Sequence, residues 1–128
     1  MTQAIVDLTN YLRSENHLPP LVQDSRLSGA AQIHSQDMAL LNTMAHTLPG
    51  TAAPGLTDRA SIVHYRYTTL GENIAYNQAD ASSVVASWMA SPPHRQNMLG
   101  SSFTDIGVGL AWNSRGEPYY TMMLGKPA

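Results

Sequence analysis

Chemistry in this chain must come from five histidines, nine acidic residues and hydroxyls, because there is no cysteine. That removes thiol nucleophiles, thiolate metal ligands and disulfides together. Three polar groups sit in distinctive blocks. His46 follows a long amphipathic stretch, Glu72 lies within Gly71-Glu72-Asn73-Ile74-Ala75, and His94 lies within Trp88-Met89-Ala90-Ser91-Pro92-Pro93-His94-Arg95-Gln96-Asn97-Met98-Leu99. Two neutral imidazoles and one carboxylate suffice for a zinc-like ion, with a position left open for water or substrate. A metal held that way lowers the pKa of its water and makes a hydrolase conceivable. Without metal, the carboxylate would stabilise a protonated imidazole and give a polar cleft that answers to mild acid. A third reading is architectural: the three groups hydrogen-bond a loop, a strand and a helix to one another. Ser91 adds the residue types of a hydrolase triad with His94 and Glu72. It stands where a helix meets two prolines, however, a place where serine commonly bonds backbone or opens a turn.

Other chemistries are excluded. Gly107-Val108-Gly109 precedes a strand and lacks the third glycine of a dinucleotide fingerprint. There is no phosphate-binding GxxxxGK[ST], no HExxH, no GxSxG elbow and no calcium-loop spacing of acids. The net charge is −2, and the seven basic residues form no run able to neutralise phosphates, which argues against nucleic acid as a partner. Hydrophobic residues make up 43% of the chain, too many for a disordered one. No apolar run approaches the ~20 residues of a membrane span. The start, Met1-Thr2-Gln3, does not read as a signal peptide, since it lacks a positive region and Asp7, Asn10 and Arg13 interrupt the apolar residues beyond it. A cytoplasmic protein and an exported one whose leader has been removed both fit.

The elements that must position these residues can be read from periodicity. At 128 residues one domain is expected, covering 1–128. Ile5, Leu8 and Leu12 predict a helix over about 3–15 with Thr2 as N-cap, ended by Leu18-Pro19-Pro20. Asp24 can cap a second helix with the stripe Leu27, Ala30/Ala31, His34, Met38 and Leu41. On that stripe His34 reads as a packed histidine with its nitrogens satisfied. Residues 46–56 are a Pro/Gly-rich loop, and a third helix is predicted from Thr57 or Asp58 to about residue 67. Gly71 to Tyr76 reads as a strand with Glu72, Ile74 and Tyr76 on one face. Asp80 caps a fourth helix bearing Val84, Val85 and Trp88, stopped at Ser91 by the prolines, after which His94 to Leu99 is a short turn. The last third predicts a hairpin. Ile106, Val108, Leu110 and Trp112 line one face, while Gly107, Gly109 and Ala111 leave the other open to close approach by a packed element or a ligand. Helices that do not alternate with strands favour an α+β layered fold.

Taken together, His46, Gly71–Ala75, the Trp88–Leu99 block and Phe103-Thr104-Asp105-Ile106-Gly107-Val108-Gly109 resemble a bacterial domain of the CAP superfamily. The corresponding family motifs are a histidine before a long loop, GEN[IL]A, a tryptophan helix ending in SPxHRxNxL, and FTxIGVG. The resemblance covers essentially the whole chain. It implies an α-β-α sandwich around a small antiparallel sheet, with a groove on one side. In many eukaryotic relatives two histidines and two glutamates line that groove, and some hold a divalent metal such as zinc. By resemblance His46 and His94 match the histidines and Glu72 the first glutamate. Ser91 stands where the second glutamate belongs, which removes a charge and a possible base. The function implied is that of an extracellular or cell-envelope domain whose groove, lined by His46, Glu72, Ser91 and His94, binds a lipid, a peptide or a cell-surface polymer without catalysis. The alternative is a divalent-metal-dependent hydrolase using His46, His94 and Glu72.

Overall fold

The computed structural model describes residues 1–128. Helix α1 spans Thr2–Glu15 and buries Ile5, Val6, Thr9 and Arg13. Met1, not Thr2, occupies the N-cap, so Thr2 is already helical. Strand β1, Val22–Gln23, follows the Leu18–Pro20 break. Helix α2 spans Ser25–Leu41, and the Asp24 carboxylate accepts from the amides of Arg26 and Leu27, as its N-cap position predicts. It ends at Asn42, which takes the left-handed conformation that asparagine tolerates. Leu27, Ala30, Ala31, His34 and Met38 are buried along one face, but Leu41 at the end of the stripe is exposed.

Helix α3, Leu56–Ile62, is shorter than predicted. It stops because Tyr65 is needed elsewhere: His64 turns the chain at φ 61°, and the Tyr65 hydroxyl donates to Asp105 at 2.8 Å. Strand β2 therefore begins at Tyr67 and runs to Tyr76, four residues earlier than the Gly71 start read from the sequence. Helix α4, Ala81–Met89, is capped by Asp80, whose side chain accepts from the Ser83 amide. Pro92 and Pro93 open a further helix, α5, Pro92–Met98, rather than leading into a turn. A proline at the first helical position lacks only an N–H that would have been unpaired, so it starts a helix as readily as it ends one. Strands β3 (Asp105–Trp112) and β4 (Pro118–Pro127) form the expected hairpin.

The sheet order is β1-β3-β4-β2, with β1 parallel to β3 and the other pairs antiparallel. Helices cover both faces. On one face α2 lies directly on Gly107 and Gly109: a Cβ at either would run into the backbone at Leu27–Ser28 or Ala31–Gln32. The all-small face thus admits a helix rather than a ligand. Tyr65, Leu27, Ala31 and Met123 pack together on this side. On the other face Ile106, Val108, Leu110, Met122 and Leu124 meet Ile5 and Val6 of α1 and Val84, Val85 and Trp88 of α4. Trp112 leaves this set, standing at the strand end 57% exposed. The result is an α-β-α sandwich in which β2, the strand carrying Glu72, forms an edge of the sheet.

Candidate functional site

The register of β2 decides what its residues can do. The Asn77 amide donates to Pro118 O, so residues 71, 73 and 75 exchange ladder bonds with β4. The backbone groups of Glu72, Ile74 and Tyr76 point out of the free edge. Side chains alternate independently of this. Glu72 and Ile74 face α2 and the 42–56 loop, while Asn73 and Ala75 face α4 and α5.

Glu72 is buried, and both carboxylate oxygens are engaged. Oε1 accepts from His46 Nδ1 at 2.9 Å, and Oε2 accepts from Arg59 Nη2 at 2.7 Å. Arg59, fully buried, also donates to the carbonyls of His46, Ala53 and Pro54 at 3.1–3.3 Å. One guanidinium therefore ties α3 to the strand and to both ends of the Pro/Gly-rich loop. His34 lies beneath, its Nε2 donating to Ala45 O at 2.8 Å and standing 3.8 Å from Glu72 Oε1. Its Nδ1 has no partner. Both nitrogens were expected to be satisfied, and one is not. Burial pushes the His34 pKa down, with the Arg59 charge adding to it.

His94 comes from the opposite direction, on α5. Asn73 Nδ2 donates to His94 O at 3.1 Å, and Asn97 Nδ2 donates to Asn73 Oδ1 at 2.9 Å and to Glu72 O at 3.3 Å. Trp88 Nε1 donates to Ile74 O at 2.9 Å. These side chains clamp α4 and α5 onto the strand edge and satisfy two of its outward carbonyls. The His94 pKa is lowered by burial first and by the charge of His46 second, so the two imidazoles lie within electrostatic reach of each other. His94 lines an open hollow of about 230 Å³ with Met44, Ile74, Tyr76, Ser87 and Trp88. The His46 side chain, 56% exposed, leaves its Nε2 free of the Glu72 bond. A larger hollow of about 340 Å³ lies beyond the end of α2, between Leu40 and Trp112, and contains no imidazole or carboxylate.

Ser91 is the N-cap residue of α5 and makes no side-chain capping bond. Glu72 is bonded to His46 instead of His94, so Ser91, His94 and Glu72 do not form a relay. Nor do the donors fit a catalytic metal. No group of three or more histidine, aspartate or glutamate side chains is arranged to hold an ion. With Glu72 held by Arg59 and His46, two imidazoles remain, one short of the usual three protein ligands. Arg59 carried no sequence signal of its own, and Asn97 stood out only as part of the block around His94. An arginine after a Pro/Gly loop reads as solvated until the fold shows which carboxylate it meets. His34 did carry a signal, its place on the α2 stripe.

Comparison with known proteins fits this geometry. Residues 6–124 match the family described as CAP, the cysteine-rich secretory protein family. The Bacillus subtilis protein YkwD is 42% identical over 122 residues, covering 95% of this chain and 46% of YkwD. An extracellular protein containing an SCP domain from Bacillus anthracis superposes with a TM-score of 0.88 at 34% identity, over 98% of this chain and 40% of that one. An outer surface protein from Borrelia burgdorferi superposes with a TM-score of 0.89 at 21% identity, over 98% of this chain and 92% of that one, a likeness of fold. The chain thus spans less than half the length of YkwD and of the Bacillus anthracis protein. Sequence blocks, sandwich and strand-edge histidines converge: the chain belongs to the cysteine-rich secretory protein (CAP) family.

Proposed function

We propose that residues 1–128 form one domain of an exported or envelope-associated protein, and that it works by binding rather than by catalysis. The recognition surface is the groove at the free edge of β2, between the 42–56 loop and α5. One observation carries this reading: the Glu72 carboxylate is spent on Arg59 and His46. A carboxylate so engaged is a poor general base and a poor metal ligand, but it makes a rigid floor that presents two imidazoles to solvent. Related proteins described as extracellular and as an outer surface protein support an envelope setting. No helix here is long and apolar enough to cross a membrane. The test is calorimetry of the wild type, His46→Ala and His94→Ala against a chitin tetrasaccharide, phosphatidylglycerol vesicles and pooled pentapeptides. Binding of one class that both variants weaken supports the groove. Binding that neither variant affects, or none at all, refutes it.

A further inference from the structure

The hollow beside His94 borders the free edge of β2. Ile74 and Tyr76 both line it, and both direct their amides away from β4. Neither amide has an acceptor within the chain, whereas the outward carbonyls of Glu72 and Ile74 are already taken by Asn97 and Trp88. Donors two residues apart on a strand lie about 6.7 Å from one another, the repeat of carbonyls along one edge of an extended peptide. Sugar hydroxyls have no such repeat. The two ends of the row differ in charge. At the Glu72 end stand His46 and His94, with Arg95 next along α5. The one carboxylate in contact there, Glu72, is already paired with Arg59. At the Tyr76 end the hollow is bordered by the uncharged Gln78 and Ser87, and the Tyr76 hydroxyl meets the Glu117 carboxylate, which is paired with Arg115.

We propose that this hollow takes the C-terminal end of an extended peptide, laid antiparallel to β2. The peptide's carbonyls accept from the Ile74 and Tyr76 amides, and its terminal carboxylate rests against His46 and His94. Antiparallel direction follows from the charge, since it brings a C-terminus to the Glu72 end of the strand. The contact is strand addition, in which main-chain bonds supply affinity and neighbouring pockets, here beside Met44 and Trp88, select side chains. This inference deepens the groove reading and rests on it.

The test uses the whole ¹⁵N-labelled chain and two pools of acetylated pentapeptides, one ending in a free carboxylate and one amidated. The expected result is a shift of the Ile74 and Tyr76 amide resonances and about tenfold weaker binding of the amidated pool, the worth of a charge-assisted bond. Tyr76→Pro deletes an N–H that bonds nothing in the free protein, as an edge position permits. It should lose about tenfold in affinity, more than Tyr76→Ala, which keeps the amide. If Tyr76→Pro does not fold, the wild-type amide shifts decide alone. Silent amides with both pools overturn the proposal, and so does equal affinity for the two pools. If the saccharide or the vesicles then shift His46 and His94, the groove reading survives without the peptide. If no probe shifts either histidine, both readings fall together.

Discussion

Replacing Arg59 with methionine asks whether the polar floor is held as described. The side chain is fully buried, donates to Glu72 at 2.7 Å and reaches three loop carbonyls. Removing one partner of a buried ion pair costs about 3–5 kcal/mol, because the other charge stays behind without compensation. Glu72 is only 6% exposed, so water offers it little relief. For a chain of this size each kcal/mol moves Tm by roughly 3–5 °C, which puts the expected drop at roughly 9–25 °C. A double variant, Arg59→Met with Glu72→Leu, removes both charges and should be more stable than Arg59→Met alone by about 1–3 kcal/mol. Urea denaturation of the wild type, both singles and the double completes the cycle. Should Arg59→Met be too unstable to purify, Arg59→Lys keeps the charge, loses the fork and gives a smaller effect in the same direction. A loss below about 1 kcal/mol for Arg59→Met, or strict additivity in the double, would refute the idea that this pair organises the site.

Three other outcomes are expected from the same geometry. Burial lowers the His34 pKa, so below about 6.5 the unfolded chain takes a proton that the folded chain refuses. Stability therefore falls as pH drops from neutral, by up to about 1.4 kcal/mol per pH unit for this group, and His34→Gln should flatten the slope in urea titrations between pH 7 and 5. An unchanged slope would clear His34 of that role. Gly107→Ala forces a methyl into the backbone of α2 and should cost about 3 kcal/mol or more, measured by denaturation. A near-neutral result would mean that α2 does not lie on β3 so closely. Any zinc taken up by the two imidazoles should bind about 10–100-fold more weakly to Glu72→Gln in calorimetric titration, because the carboxylate orients and polarises His46 from behind; abolition of binding would restore Glu72 as a ligand and reopen the hydrolase reading.

Local rules locate the elements well where a single residue decides the local structure. Asp24 and Asp80 cap the helices they precede, and Gly107 and Gly109 mark a close approach. Elements set by distant partners are less legible. Periodicity carries α3 too far along, because Tyr65 looks like a continuation of the helical stripe until Asp105 and Gly125 are placed around it. Strand β1 has two residues and no pattern of its own, and it exists because β3 offers a parallel edge. At the site, the blocks around residues 46, 72 and 94 are visible as motifs. That Glu72 turns to Arg59 and His46 is not, since the arginine lies 13 residues away in sequence on an element whose orientation no local rule sets.

The proposed function requires that two imidazoles, from opposite sides of one strand, share one opening, and every functional statement above depends on that requirement. Titrating ¹⁵N-labelled histidines in the wild type and in His46→Ala measures it directly. His94 should titrate below its ordinary value of 6.5 in the wild type and move upward when His46 is removed, because the charge of His46 is one of the two causes of the depression. His64→Ala, at the turn that ends α3, should leave it unmoved. A His94 midpoint that ignores the loss of His46 would mean that the two rings do not share a site.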